Sequence, residues 1–162
     1  MPLRKIEDIP PLLPPGGRIM ALDLGERTIG MAVSDSGLML STSVGTIRRR
    51  KFGVDVAALF KEMDERSVAA LVVGLPVNLD GTEGPRCDAT RSFIHELTLR
   101  RDLPVALWDE RWSTMAVERA MIAADRTRAK RAKHIDTAAA TYILQGALDA
   151  MRAAPAGNDT PE

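Results

Sequence analysis

The stretch from Ile19 to Ser34, read as Ile-Met-Ala-Leu-Asp-Leu-Gly-Glu-Arg-Thr-Ile-Gly-Met-Ala-Val-Ser, constrains the fold most, because it sets one carboxylate into an otherwise apolar strand. Ile19 to Leu24 is short, apolar and bounded by Gly16-Gly17 and Gly25, which reads as a strand. Thr28 to Ser34 makes a second such run past the turn Gly25-Glu26-Arg27, so the two predict a hairpin. A bare carboxylate buried in a strand costs roughly several kcal/mol unless a cation, a donor or a proton compensates it. Asp23 therefore asks for a partner. Gly25, two residues on, leaves room for a phosphate or a metal ion to approach the backbone closely. The plainer alternative is that Asp23 ends its strand early and accepts turn hydrogen bonds.

A chain of 162 residues suits one domain with a substantial core. With 22 Lys and Arg against 22 Asp and Glu, affinity for nucleic acid has to come from where the charges lie and not from their sum. They are unevenly placed: Arg48, Arg49, Arg50 and Lys51 form one basic run, and Arg126, Arg128, Lys130, Arg131 and Lys133 another. The lone Cys87 excludes an internal disulfide and a Cys-based zinc cluster. Nothing resembles a signal segment or an apolar run of ~18 residues, so the expected location is the cytoplasm, with no membrane partner.

Residues 1–17 carry Pro2, Pro10, Pro11, Pro14, Pro15 and Gly16-Gly17, which predicts a flexible leader without helix or sheet. Ile6, Ile9, Leu12 and Leu13 could still lie along the surface of the folded domain, expected over residues 18–152. Residues 153–162 read as a disordered tail. After the first hairpin, Asp35-Ser36-Gly37 turns the chain into a third antiparallel strand, Leu38 to Ile47. The run Arg48 to Lys51 at its end reads either as a solvated loop or as a contact to a phosphate backbone. Val54 to Arg66 is an amphipathic helix with Val56, Phe60 and Met63 inward. It delivers the chain to Ala69-Ala70-Leu71-Val72-Val73, a run suited to a parallel strand covered on both faces.

The loop from Gly74 to Gly84 then stands where an open α/β sheet holds its ligands, beyond the carboxyl end of a strand, unless it is an ordinary connection. Pro85 opens a helix to Arg101, with Ala89, Phe93, Ile94 and Leu97 inward; His95 on it reads as a surface histidine, since no second ligand stands at metal spacing. Val105 to Trp108 is a further buried strand, stopping at Asp109-Glu110-Arg111. Alternation along a strand lets only one of those two acids face Asp23; the other reading is a cap for a helix beginning near Ser113 and Thr114. That helix runs to about Asp125, and the second basic run interrupts it. The last helix is expected from near His134 to about Met151. Asp136 stands at helical spacing over Ala140, Ile143 and Ala147, on or beside a buried face, although the helix dipole alone would also favour an acid there.

Three antiparallel strands, helix, strand, helix, strand and two further helices is the layout of the RNase H-like fold, an α/β architecture with a mixed five-stranded sheet. The chain resembles the YqgF/RuvX family over about residues 18–150. The resemblance rests on Asp23-Leu-Gly25, on Gly74-Leu-Pro76 with Asn78, Asp80, Gly81 and Thr82, on Asp109-Glu110-Arg111, and on Lys133-His-Ile-Asp136 leading into Ala138-Ala139 and Ile143-Leu144-Gln145. It implies a bacterial cytoplasmic nuclease associated with 5′-end maturation of pre-16S ribosomal RNA and also described as Holliday junction resolvase-like. Carried over by position, the catalytic and metal-binding acids are Asp23, Glu110 and Asp136. Many RNase H-like relatives carry an acid at the end of the strand beside the first; here that strand runs into Gly74-Leu75-Pro76.

Carboxylates clustered without a cation between them repel one another, and divalent ions on oxygen ligands reverse that cost. The expected cofactor is Mg²⁺ or Mn²⁺ in a two-ion site, with Asp23 bridging. Candidate substrate contacts are Gly25, Gly74, Pro76, Asn78, Thr82, Arg111, Arg128, Lys130, Arg131 and Lys133. The expected partner is nucleic acid, pre-rRNA or branched DNA, met by a monomer or a homodimer. With three Phe, two Trp and one Tyr, recognition is expected to follow backbone shape more than base stacking. Two rivals stand beside this reading. A nucleotide-binding kinase of the actin and sugar-kinase type also begins with Asp-x-Gly but needs a second domain, and a non-catalytic RNA-binding module could keep the fold for docking alone.

Overall fold

In the computed structural model, residues 3–111 and 128–153 are described, with side chains described for 3–111 and 139–153. The strands are β1 (Leu3–Arg4), β2 (Arg18–Leu24), β3 (Thr28–Ser34), β4 (Ser41–Arg48), β5 (Val68–Leu75) and β6 (Val105–Asp109). The helices are α1 (Phe52–Glu65), α2 (Pro85–Arg100) and α3 (Arg128–Ala153).

The strands form one mixed sheet in the order β1-β6-β5-β2-β3-β4. The hairpins β2-β3 and β3-β4 are antiparallel, whereas β5 joins β2, β6 joins β5 and β1 joins β6 in parallel. Strand alternation then sorts the side chains onto two faces. On one face Met20, Leu22, Leu71 and Val73 pack with Val56, Leu59 and Met63 of α1 and Phe93, Ile94 and Leu97 of α2. On the other, Ile19, Ala21, Ala32, Ala70, Val72 and Ala106 receive Ala140, Ile143, Leu144, Ala147 and Leu148 of α3. Alanines on the sheet let α3 lie close to it. At Gly146 the approach is close: a Cβ there would stand 2.9 Å from Cζ2 of Trp108.

Three expectations need correction. The leader holds structure: Leu3 and Arg4 pair with Val105 and Ala106 as a sixth strand, and 3-10 turns follow at Ile6–Asp8 and Pro10–Leu12. Ile9 is fully buried in the α3-side core, with Ile6 and Leu13 packed against it. Prolines forbid long elements, but a two-residue strand and single turns need few backbone donors. Next, the basic run does not precede the last helix; from Arg128 onward it is part of it, since Arg and Lys are good helix formers. Finally, the inner face of α2 is Cys87, Thr90, Phe93, Ile94 and Leu97, and Ala89 is exposed. The helix expected from Ser113 to Asp125 and the tail beyond Ala153 lie outside the described residues.

Candidate active site

The same alternation that sorts the core also assembles the site. Asp23 follows Ile19 and Ala21 on the α3 side of β2, Gly74 follows Ala70 and Val72 on β5, and Glu110 follows Ala106 and Trp108 at the end of β6. Leu22 pairs with Val73, and Gly74 with Trp108, so these three positions stand together at the carboxyl ends of three adjacent parallel strands. The carboxyl groups of Asp23 and Glu110 are joined by a hydrogen bond. Burial, and then the negative charge of Asp23, push Glu110 up to about 7, with the Arg86 guanidinium drawing it partly back. Both causes favour the protonated form of Glu110 beside Asp23, where a cation could stand instead.

Gly74 makes that meeting possible. A Cβ on it would lie 2.6 Å from Oε2 and 2.8 Å from Cγ of Glu110. The volume in which an acid of β5 itself would project is filled by the acid of β6.

Of the two adjacent acids, Glu110 therefore faces Asp23, and Asp109 turns away to Arg111. Nε of Arg111 donates to both carboxylate oxygens of Asp109 at 3.0 Å, and the guanidinium holds that carboxyl below its usual range. Nη1 of Arg111 also donates to the carbonyl of Leu79, 3.3 Å away, tying the β5-α2 loop to the end of β6. The loop is braced internally. Asn78 N–H donates to the carbonyl of Thr82, its side-chain amide to the Thr82 hydroxyl at 3.0 Å, and that hydroxyl to Asp80 at 2.6 Å. The Pro76 carbonyl accepts from Sγ of buried Cys87 at 3.3 Å, which anchors the loop to α2. Gly25 ends β2, its carbonyl accepting from Nη1 of Arg49 at 2.7 Å.

The backbone at Asp136 belongs to α3, one turn before buried Ala140 and on the helical face that carries Ile143 and Ala147. Ile143 reaches this part of the sheet, its Cδ1 lying 2.7 Å from where a Gly74 Cβ would stand. The backbones at Arg128, Lys130, Arg131 and Lys133 occupy the preceding turns; the side chains of these four and of Asp136 lie outside the described residues.

A family model described as RuvX, Holliday junction resolvase, matches residues 17–150. The chain belongs to the RuvX family. A relative from Rhodospirillum rubrum is 57% identical to this RuvX chain over 152 residues, 93% of this chain and 94% of the relative. One from Sinorhizobium medicae is 50% identical over 165 residues, 99% of this chain and 100% of the relative; both bear the name "Putative pre-16S rRNA nuclease". Among solved structures, RuvC of Thermus thermophilus in complex with Holliday junction substrate matches with a TM-score of 0.52 at 13% identity, covering 85% of this chain and 96% of that one. That likeness shows the RNase H-like fold, here with six strands where five were expected. This member of the family is accordingly a nuclease, a hydrolase of phosphodiester bonds. None of its described helices is long and apolar enough to cross a membrane.

One contributor escaped sequence reasoning: Arg86, which acts on Glu110 from the first turn of α2. The signal for Arg86 was present: a cation in the first helical turn opposes the helix dipole, so local stability does not explain it.

Proposed function

We propose that this protein cleaves ribosomal RNA precursors at the 5′ side of 16S rRNA, with Asp23, Glu110 and Asp136 as its catalytic acids and Mg²⁺ or Mn²⁺ as cofactor. The observation that carries the reading is the abutting Asp23 and Glu110 pair at the strand ends, an arrangement that destabilises the protein unless a proton or a cation sits between the charges.

The donors present fit a hard divalent cation. Both are carboxylates, both face one side of the sheet, and their mutual repulsion is the feature such an ion relieves. Asp23 and Glu110 would hold it, with Asp136 completing the set from α3. When bound, such ions lower the pKa of an attacking water and stabilise charge on the departing oxygen. The chain's own residues do the rest. Glu110, whose proton is favoured by burial and by Asp23, must be ionised to become a ligand. Arg111, neutralised by Asp109, holds the loop Asn78–Thr82 against the strand ends, where its exposed amide and hydroxyl groups can position the substrate backbone. Arg128, Lys130, Arg131 and Lys133 supply cations for flanking phosphates.

The family description favours branched DNA as a second substrate reading. Purified protein with manganese or magnesium should be given labelled pre-16S rRNA and a synthetic four-way junction side by side, with Asp136→Asn as control and the oligomeric state measured in the same buffer. Metal-dependent cutting of the RNA, lost in the variant, is the expected result. Preferential, symmetric cutting of the junction by a dimer would move the assignment to branched DNA. Binding of RNA without hydrolysis by the wild type would leave a non-catalytic module.

A further inference from the structure

Around the end of β2, on the α2 side of the sheet and linked to the carboxylate pair through Arg86, lies a cavity of about 100 Å³ lined by Leu24, Gly25, Glu26, Arg49, Arg86, Ala89, Thr90 and Phe93. Two guanidiniums enter it from different elements. Arg49, just past β4, is held from three sides: its backbone N–H donates to the carbonyl of Arg27, its Nη1 to the carbonyl of Gly25 at 2.7 Å, and its guanidinium carbon stands 5.7 Å from the centroid of Phe93. Half-buried and positioned in this way, it makes no ion pair among the described residues. Arg86 makes none either, and it sits where the α2 dipole disfavours a cation. Glu26, the acid at the cavity wall, pairs with neither arginine. Two arginines from different elements that line one cavity, neither in an ion pair among the described residues, describe an incomplete binding site.

We propose that Arg49 and Arg86 form a phosphate subsite, which takes one backbone phosphate of the substrate next to the bond positioned at Asp23 and Glu110. This rests on the catalytic site proposed above. Arg49 offers its remaining N–H donors in an orientation fixed before substrate arrives, and the exposed Arg86 closes on the phosphate from the opposite wall. The apolar wall of Leu24, Ala89 and Phe93 admits the sugar edge of the same nucleotide. The phosphate is either internal to the strand or its 5′ terminus; both present the same anionic oxygens.

The test uses the full chain and a short single-stranded RNA with and without a 5′-phosphate. Binding is followed by anisotropy in EDTA across a salt series, and cleavage in manganese. Arg86→Gln should reduce the slope of log affinity against log salt by about 0.7, one phosphate's share on a single strand, and Arg86→Lys should restore it. Arg91→Gln, removing a cation that Glu83 already pairs, should leave the slope as in the wild type. Arg49→Lys should weaken binding while melting normally; should it fail to fold, Arg86→Gln alone decides. If removing the 5′-phosphate weakens the wild type but not Arg86→Gln, the subsite holds the chain terminus. If it changes neither while the slope still falls, the subsite holds an internal phosphate. A wild type that cuts RNA and an Arg86→Gln variant with the wild-type slope would overturn the subsite alone. A wild type that neither binds nor cuts RNA would overturn the site reading with it.

Discussion

Gly74 yields its side-chain volume to Glu110: a Cβ on the glycine would stand 2.6 Å from Oε2 of the acid and 2.7 Å from Cδ1 of Ile143 on α3. The glycine thus lets an acid from the end of β6 lie across β5 to reach Asp23 on β2. A methyl group here must displace Glu110, Ile143 or both. Gly74→Ala should cost about 1–3 kcal/mol in urea unfolding, the usual range for overpacking, and should reduce metal-dependent cleavage beyond what the lost stability explains. Wild-type cleavage with wild-type stability would mean that Glu110 has room to spare.

Glu110 gives a pH dependence whose sign is fixed. In metal-free protein its pKa stands at about 7 against 4.5 for an ordinary glutamate, so the folded state holds the proton more tightly than the unfolded one. The stabilisation is complete below the unfolded value and is lost as pH rises through the folded one. In EDTA the wild type should lose on the order of 1–3 kcal/mol relative to Glu110→Gln between acidic and mildly alkaline buffer. Manganese should return that stability to the wild type above neutral pH and not to the variant. Parallel stability curves for the two proteins would show that the pair is not strained.

The order of strands and helices was legible because apolar periodicity changes from two to about 3.6 at nearly every boundary, and Asp23 stood out because a lone acid in an apolar strand asks for a partner. The choice between Asp109 and Glu110 was not, although parity decides it: Glu110 shares its face with Ala106 and Trp108, and Asp23 shares that face through Ala21, but this follows only once the register of β6, β5 and β2 is known. Asp55 of α1 is buried, accepting the backbone N–H of Arg50 at 2.9 Å, a local bond that periodicity does not register. The leader was misread for a related reason. Its prolines count against helix and sheet, which hid β1 and the 3-10 turns, while Ile9, among the side chains that could lie along the domain, is the one that is fully buried.

Ile9 provides the test of that docking. It is fully buried with Ile19, Ala21 and Leu144 in the core that also seats α3. Ile9→Ala should destabilise the protein by about 2–5 kcal/mol, and deleting the residues before Arg18 by at least as much, because the deletion also strips the β1 pairing from β6. Since Glu110 directly follows β6, both changes should lower cleavage before they unfold the chain at working temperature. An unchanged melting temperature after deletion would return the segment to the status of a passive leader.

Asp23 separates catalysis from folding. If it is a ligand and not a structural acid, Asp23→Asn should remove metal-dependent hydrolysis while leaving affinity for RNA near that of the wild type, since the phosphate contacts lie elsewhere. The same change removes the negative charge that helps hold Glu110 near 7, so Glu110 should titrate closer to its ordinary value. With the like-charge repulsion gone, metal-free Asp23→Asn should melt at a higher temperature than metal-free wild type above neutral pH, and manganese should no longer raise it. Added stability together with lost activity is expected of an acid retained for chemistry at a structural cost. A variant that is both inactive and less stable at every pH would instead make Asp23 part of the framework, and the cation would then have to be sought around Glu110 and α3 alone.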